Sequence, residues 1–211
     1  MLTAIIDYES GNLHSAEKAF QKMAAETGAG AVQVTSDPDV VARADRIVLP
    51  GDGAFPSCAA ALRASGCFDA MLDAVEVKGR PFMGICVGMQ LMARTGHEYE
   101  TTEGLGWIDG AVEAIRPADP ALKVPHMGWN DLVIDLPHPV LAGIETGDHA
   151  YFVHSYQMRL NTADQRAAHV DYGGDVTAIV ARDTRIGLQF HPEKSAHAGL
   201  RMIANFLAWR P

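Results

Sequence analysis

Cys86 has the sequence context of a catalytic nucleophile. It follows an apolar run, Phe82–Ile85, that predicts a buried strand, and the segment from Val87 onward predicts the start of a helix. Gly84 and Gly88 flank it in a Gly-x-Cys-x-Gly pattern, the thiol counterpart of the Gly-x-Ser-x-Gly nucleophile elbow. We expect the glycines to prevent collisions at a sharp turn, and the helix N-terminus to favour a thiolate. The alternative is a buried structural cysteine, and this pattern alone does not decide between the two.

A second segment, 189–194, contains the groups that a thiol nucleophile requires. His191 can accept and return a proton, and Glu193 can orient the imidazole. Both follow an apolar run, so we expect them at a strand end beside Cys86. Nucleophile first and histidine last is the chain order of elbow-type hydrolases. Together, Cys86, His191 and Glu193 resemble the triad of the class I glutamine amidotransferases, whose elbow and His-Pro-Glu motifs both occur here in the expected order.

The composition limits the class of protein. A length of 211 residues and an apolar content of 48% predict one globular domain over residues 1–211. A formal charge of -9 argues against a general nucleic-acid or anionic-membrane surface. There is no apolar stretch of spanning length and no leader pattern, so we expect a cytoplasmic protein. Three cysteines show no metal-type spacing, and Cys58 and Cys67 are expected to be small core residues.

Strand-like and helix-like patterns alternate in the first half of the chain. The segments 3–7, 31–34 and 46–49 have the composition of buried strands, and the helix after Asn12 carries an apolar stripe. This alternation predicts an α/β protein with a doubly wound, mostly parallel sheet and helices on both faces. The resemblance implies the flavodoxin-like class I glutamine amidotransferase fold. Ligands of such sheets bind at the carboxyl ends of the strands, where Cys86 and His191 are expected.

The segment Pro50-Gly51-Asp52-Gly53 could be an ordinary turn. Acyl transfer from an amide needs backbone N–H groups that stabilise an oxyanion, and glycines present such groups without hindrance. The resemblance implies that the donors come from the strand formed by Gly51, Asp52 and Gly53 and from Val87. Relatives usually have a small apolar residue where this chain has Asp52. A carboxylate beside an oxyanion is unfavourable, so we expect that of Asp52 to face away.

The glutamine-binding residues are also assigned by resemblance. Gln90 lies one helical turn after Cys86 and therefore on the same face, where it is expected to bind the substrate. Backbone groups of Ser155 and Tyr156 are expected to hold its α-carboxylate and α-amino groups. His154 is interpreted as a structural histidine, and His126 is a weaker rival for the base because no carboxylate follows it in His-x-Glu spacing.

Two further segments resemble one branch of the family, the glutaminase subunits of imidazole glycerol phosphate synthase. They are Pro-His-Met-Gly-Trp-Asn at 125–130 and Asp-Tyr-x-x-Gly-Asn-Leu at 7–13. In that branch both lie toward the partner, a cyclase subunit with which the chain would form a heterodimer. The residues expected at this interface are Tyr8, Asn12, Met127, Trp129, Asn130 and Lys194.

The resemblance implies hydrolysis of glutamine through a thioester, with the ammonia passed to the cyclase for histidine biosynthesis. It implies no metal and no cofactor. The alternatives are a glutaminase subunit of another synthase, a non-catalytic binding protein of the same fold, and a cysteine peptidase of the same fold. A non-catalytic protein would be expected to lack Cys86 or the His-x-Glu pair, and a peptidase would not need Gln90.

Overall fold

The computed structural model describes residues 1–211 and contains six α-helices and fourteen strands. The helices are α1 (Leu13–Thr27), α2 (Pro38–Arg43), α3 (Phe55–Ala64), α4 (Phe68–Leu72), α5 (Val87–Gln90) and α6 (Ala196–Ala208). The strands are β1 (Leu2–Ile6), β2 (Ala31–Thr35), β3 (Arg46–Gly51), β4 (Phe82–Cys86), β5 (Ala93–Glu98), β6 (Glu100–Glu103), β7 (Ile108–Ala114), β8 (His126–Asp131), β9 (Val133–Ile134), β10 (His149–His154), β11 (Tyr156–Leu160), β12 (Arg166–Asp171), β13 (Asp175–Arg182) and β14 (Arg185–Leu188). No helix combines the length and the apolar character needed to cross a membrane.

An eight-stranded sheet in the order β2-β1-β3-β4-β14-β13-β12-β9 forms the centre of the molecule. Its first five strands are parallel, in a flavodoxin-like order, and β4 lies between β3 and β14. Every residue of β3 and β4 is buried, as expected for strands covered on both faces. The prediction of a large, mostly parallel sheet is confirmed.

The helices pack in two groups. α1 packs against α6, whereas α2 packs against α4. Right-handed crossovers require this arrangement, because β1-to-β2 and β2-to-β3 run in opposite directions across the sheet. Asn12 caps α1 by accepting a hydrogen bond from the Ser15 N–H.

The antiparallel part of the sheet delivers the predicted base. β13 and β14 form a hairpin around residues 183–184, and β14 returns parallel to β4. Leu188 pairs with Ile85 at the ends of these strands. The next residues of both segments therefore emerge at the same edge of the sheet.

A second sheet was not predicted. Its order is β11-β7-β5-β6, and β8 pairs with β10 separately. The helix expected after Cys86 is correct in position but has only four residues, and β5 begins at Ala93. The predicted helix was too long. The apolar residues Leu91, Met92 and Ala93 suggested that it continues, but tertiary contacts bury them outside a helix.

Candidate active site

The elbow at Cys86 has the strained geometry of a nucleophile turn. Cys86 has φ 55° and ψ −114°, a conformation that non-glycine residues rarely adopt, and it is buried at the end of β4. A Cβ on Gly84 would lie 2.6 Å from the Gly88 carbonyl oxygen, and one on Gly88 would overlap the Leu49 carbonyl oxygen. The expectation that side chains at these glycines would collide is confirmed.

The helix after the elbow contributes less than expected. α5 is a single turn of four residues, so few peptide dipoles are aligned toward the sulfur. The main ionisable group beside Cys86 is instead the imidazole of His191, whose pKa the neighbouring Cys86 sulfur raises. Two segments more than a hundred residues apart therefore meet, as the sequence predicts.

His191 and Glu193 form a buried pair. The Nδ1 atom of His191 lies 2.9 Å from the Oε1 atom of Glu193, and the side chains are 7% and 2% exposed. Burial alone would lower the pKa of His191, but its hydrogen bonds to Cys86 and Glu193, with the charges of both, raise it to about 10. Because the carboxylate accepts the Nδ1 proton, Nε2 is the atom that can exchange a proton with the sulfur.

Ser195 fixes the backbone of this pair. Its hydroxyl donates to the His191 carbonyl oxygen at 2.7 Å and accepts from the Tyr151 N–H at 2.9 Å. Ser195 was not predicted from the sequence, because a serine near the start of a helix is common in any fold.

Cys86 opens into a cleft of about 260 Å³, a volume that can hold an amino acid. The cleft brings together residues from both sheets and from the elbow. The lining residues are Asp52, Gly53, Cys86, Val87, Gln90, Glu98, Pro125, Val153, His154, Ser155 and Tyr156. Seven of these were singled out from the sequence for the nucleophile, the oxyanion donors or glutamine binding, while Glu98, Pro125 and Val153 were not and His154 was assigned only a structural role.

Gln90 is fixed by two hydrogen bonds inside the protein. Its Nε2 donates to the Tyr156 carbonyl oxygen at 3.2 Å and to Gln189 Oε1 at 3.0 Å. Since both N–H bonds are used, only the carbonyl oxygen of Gln90 remains available to a ligand in the cleft. The N–H of Ser155 makes no hydrogen bond within the chain and is also available.

Gln189 is a site residue that the sequence analysis missed. It is fully buried, and its Nε2 lies 3.9 Å from the Cys86 sulfur while its Oε1 holds Gln90. Its position two residues before His191 could have revealed it, because alternate residues of an extended segment lie on the same side.

The oxyanion strand differs in detail from the prediction. The N–H of Asp52 donates to Ser10 Oγ at 3.1 Å, and the Ser10 hydroxyl donates to the Asp52 carbonyl oxygen at 2.8 Å. The Asp52 amide is therefore not available to the cleft in this conformation, whereas the Gly53 N–H makes no hydrogen bond within the chain. Asp52 is exposed at the rim, and the orientation of its carboxylate stays a prediction.

Glu98 supports this strand from the unpredicted sheet. Its Oε2 accepts a hydrogen bond of 2.7 Å from the Phe55 N–H, the first residue of α3. Ala54 offers no side-chain cap, so the carboxylate takes over the capping of this helix. Glu98 thereby anchors the chain immediately after Gly53, and it was missed because β5 was missed.

Gly51 lies directly against the elbow. A Cβ at this position would lie 2.7 Å from the Gly88 nitrogen and 2.8 Å from the Tyr8 hydroxyl. Tyr8 was expected at a partner surface, but it is buried beneath Gly51, and burial raises the pKa of its phenol. The interface assignment of Tyr8 was therefore wrong, and its hydroxyl lies against Gly51 instead.

The other residues expected at a partner surface differ in exposure. Met127 and Trp129 on β8 are 62% and 53% exposed. Asn12 and Lys194 are exposed as well, while Asn130 is half-buried. Large apolar side chains at this exposure are typical of an interaction surface, and their contact with a partner stays a prediction. His126 is buried beneath the same strand, and its contacts do not include Cys86.

A doubly wound sheet with a cysteine elbow, a His–Glu pair and an amino-acid-sized cleft defines a triad-type amidohydrolase. The sequence matches the family described as glutamine amidotransferase class-I over residues 4–209. The chain therefore belongs to the class I glutamine amidotransferase family. Its relatives include imidazole glycerol phosphate synthase subunit HisH of Ruegeria pomeroyi, 72% identical, and that of Cereibacter sphaeroides, 65% identical. Both alignments cover 100% of each chain.

Solved structures agree on the fold. A glutamine amidotransferase crystal structure superimposes with a TM-score of 0.73 at 17% identity, covering 98% of this chain and 99% of the other. A glutamine amidotransferase from Thermotoga maritima gives a TM-score of 0.62 at 14% identity, covering 92% and 76%. At these identities the likeness concerns the fold alone.

Proposed function

We propose that this chain is the glutaminase subunit of an imidazole glycerol phosphate synthase. It hydrolyses glutamine to glutamate and ammonia and supplies the ammonia to a cyclase subunit in histidine biosynthesis. The observation that carries the proposal is the buried His191–Glu193 pair beside Cys86, whose side chain lines one small cleft. The full-length relatives with that name, up to 72% identical, support the choice of this synthase over another one.

The reaction proceeds through a γ-glutamyl thioester. Cys86 Sγ attacks the carboxamide carbon, and the proton that balances it resides on His191 Nε2. The C–N bond then breaks, and His191 gives that proton to the leaving nitrogen, which departs as ammonia. Water attacks the thioester carbon as His191 takes its proton, the C–S bond breaks to give glutamate, and the sulfur and the protonated His191 are back in their starting state. Glu193 holds the imidazole in the required tautomer throughout.

The cleft supplies groups that suit glutamine. The Gln90 carbonyl oxygen can accept a hydrogen bond from the substrate carboxamide, and the backbone at Ser155 and Tyr156 can bind its charged α-groups. The free N–H of Gly53 and that of Val87 are the proposed oxyanion donors. Such donors are each worth about 3 kcal/mol of transition-state stabilisation in comparable sites.

The proposed partner is the cyclase subunit, forming a heterodimer. The chain would dock through β8, where Met127 and Trp129 are exposed, and through Asn12, Asn130 and Lys194. We further propose that residues 1–211 are one domain in the cytoplasm. Buried apolar residues from Ala4 to Trp209 belong to a single packed cluster, which supports one domain.

The proposal is tested with Cys86→Ala, assayed for glutamine hydrolysis and for synthesis by the reconstituted complex. We expect glutamine-dependent turnover to fall by about three orders of magnitude or more, while synthesis from added ammonium salt continues. Cys67→Ala is the matched control, because this cysteine is buried away from the cleft and should leave turnover intact. Glutamine turnover by Cys86→Ala would contradict the assignment of Cys86 as the nucleophile. If the cyclase and its nucleotide substrate do not stimulate hydrolysis by the wild-type chain, the proposed partner is wrong.

A further inference from the structure

Two buried histidines that the proposed chemistry does not use connect β8 with the cleft. His126 Nδ1 lies 3.0 Å from His154 Nε2, and His154 Nδ1 lies 2.8 Å from the Tyr156 carbonyl oxygen. At the other end, Asn130 Nδ2 lies 3.3 Å from His126 Nε2. The four residues form one continuous chain of hydrogen bonds from a half-buried amide on β8 to the wall of the cleft.

The direction of every bond in this chain is determined by its ends. A carbonyl oxygen only accepts, so His154 Nδ1 carries a proton and donates to Tyr156. In the neutral ring His154 Nε2 is then an acceptor, which makes His126 Nδ1 the donor. His126 Nε2 is left as an acceptor, and the Asn130 amide, which can only donate through its nitrogen, matches it.

The surroundings keep both rings neutral and in place. His126 stacks between Phe152, at a centroid distance of 4.8 Å, and Tyr172, at 4.0 Å. Burial lowers the pKa of His126 to about 4 and that of His154 to about 3. A proton added to His154 Nε2 would face the Nδ1–H donor of His126, and one added to His126 Nε2 would face the N–H donor of Asn130, so the neutral order is the stable one.

The chain of hydrogen bonds ends at the Tyr156 carbonyl oxygen, which also binds the cleft residue Gln90. The Tyr156 oxygen accepts from His154 on one side and from Gln90 Nε2, at 3.2 Å, on the other. Both lone pairs of this oxygen are therefore occupied. A change in the orientation of the Tyr156 peptide would release Gln90, whose remaining bond is to Gln189.

We infer that His126 and His154 are positioning residues that fix the Tyr156 carbonyl and, through it, Gln90. The position of the Asn130 amide on β8 thereby sets the geometry of the cleft. The inference rests on the proposed function, since it assigns these residues to the binding of glutamine. His154 was interpreted as structural and His126 as a rival base, and the chain of hydrogen bonds gives both a different role.

Two substitutions at His126 separate hydrogen bonding from packing. His126→Phe keeps a ring between Phe152 and Tyr172 but gives no N–H to His154, whereas His126→Asn keeps a donor near the Nδ1 position and loses the stacking. We expect His126→Phe to raise the KM for L-glutamine about tenfold with kcat changed less than about twofold, because the lost positioning concerns binding. His126→Asn should stay closer to the wild type. The opposite ranking would show that packing alone matters and would overturn the inference.

The matched control is His149→Phe on the same strand as His154. The His149 ring is exposed and its polar contact is with Asp131, so its KM should equal that of the wild type. A KM shift as large as that of His126→Phe would contradict the inference.

Long-range ¹H–¹⁵N correlation spectra of the wild-type protein test this chain of hydrogen bonds without any substitution. We expect both rings to be neutral at pH 7 with the proton on Nδ1, the less common tautomer. A proton on Nε2 of His154, or a charged ring, would overturn the inference. If the wild-type protein hydrolyses no glutamine with or without the cyclase, the proposed function fails. The spectra still decide whether the chain of hydrogen bonds from Asn130 to Tyr156 exists.

Discussion

His191 Nδ1 and Glu193 Oε1 lie 2.9 Å apart with both side chains almost completely buried. Glu193→Gln keeps the shape of this pair and removes its charge. We expect kcat for glutamine hydrolysis to fall by about three to four orders of magnitude, because the neutral amide stabilises neither the required tautomer nor the charged imidazole. The exposed Glu26→Gln is the control. A loss below about tenfold would remove Glu193 from the triad.

The raised pKa of His191 predicts how stability depends on pH. The pKa moves from 6.5 to about 10 on folding, so protonation of His191 favours the folded state. This contribution is fully present below pH 6.5 and is lost as the pH rises through about 10. We expect the difference in free energy of unfolding between wild type and His191→Gln, measured in urea, to shrink over this range. A difference that grows as the pH rises over this range would contradict the assignment.

Gly88→Ala tests the close packing of the elbow. The new Cβ would overlap the Leu49 carbonyl oxygen, which belongs to the rigid strand β3 and cannot move aside. We expect a loss of at least about 3 kcal/mol in the free energy of unfolding, measured in urea. Gly66→Ala is the control, since its new Cβ would contact no other atom. Only the positive φ of Gly66 disfavours alanine there, at a cost of about 1–2 kcal/mol. Equal losses in the two variants would refute the steric argument.

Ser10→Ala tests the state of the oxyanion strand. Its hydroxyl holds both the N–H and the carbonyl of Asp52 away from the cleft. We expect its loss to raise the glutaminase kcat of the isolated chain several-fold, because the Asp52 peptide becomes free to turn toward Cys86. Ser10→Thr keeps the hydroxyl and should behave as the wild type. An unchanged or lower kcat in Ser10→Ala would show that the contact does not restrain activity.

Trp129→Ala tests the proposed docking surface. The ring is 53% exposed and packs edge-on against Tyr151 at 5.8 Å. We expect affinity for the cyclase to fall by about 30-fold, the scale of an aromatic hot spot, with little change in the melting temperature of the isolated chain. Val77→Ala is the control, because Val77 is 77% exposed on the π-helix before β4, at the opposite end of that strand from Cys86. Equal affinity of Trp129→Ala and wild type would exclude this surface.

The sequence by itself determined the parallel sheet, the elbow and the pairing of Cys86 with His191. Short motifs carry this information because a nucleophile turn and a His-x-Glu pair need particular residues at fixed spacing. The apolar runs that precede them place both at the ends of neighbouring strands.

Only the tertiary structure decided which other groups surround the sulfur. Gln189, Glu98 and Ser10 act through hydrogen bonds to residues that are 42 to 103 positions away in the chain, and no local pattern indicates such partners. Tyr8 was predicted at the partner surface, but it is buried against Gly51. The hydrogen bond between His126 and His154 likewise depends on the pairing of β8 with β10. The neighbour of a ring nitrogen decides whether that nitrogen donates or accepts, and the sequence does not show the neighbour.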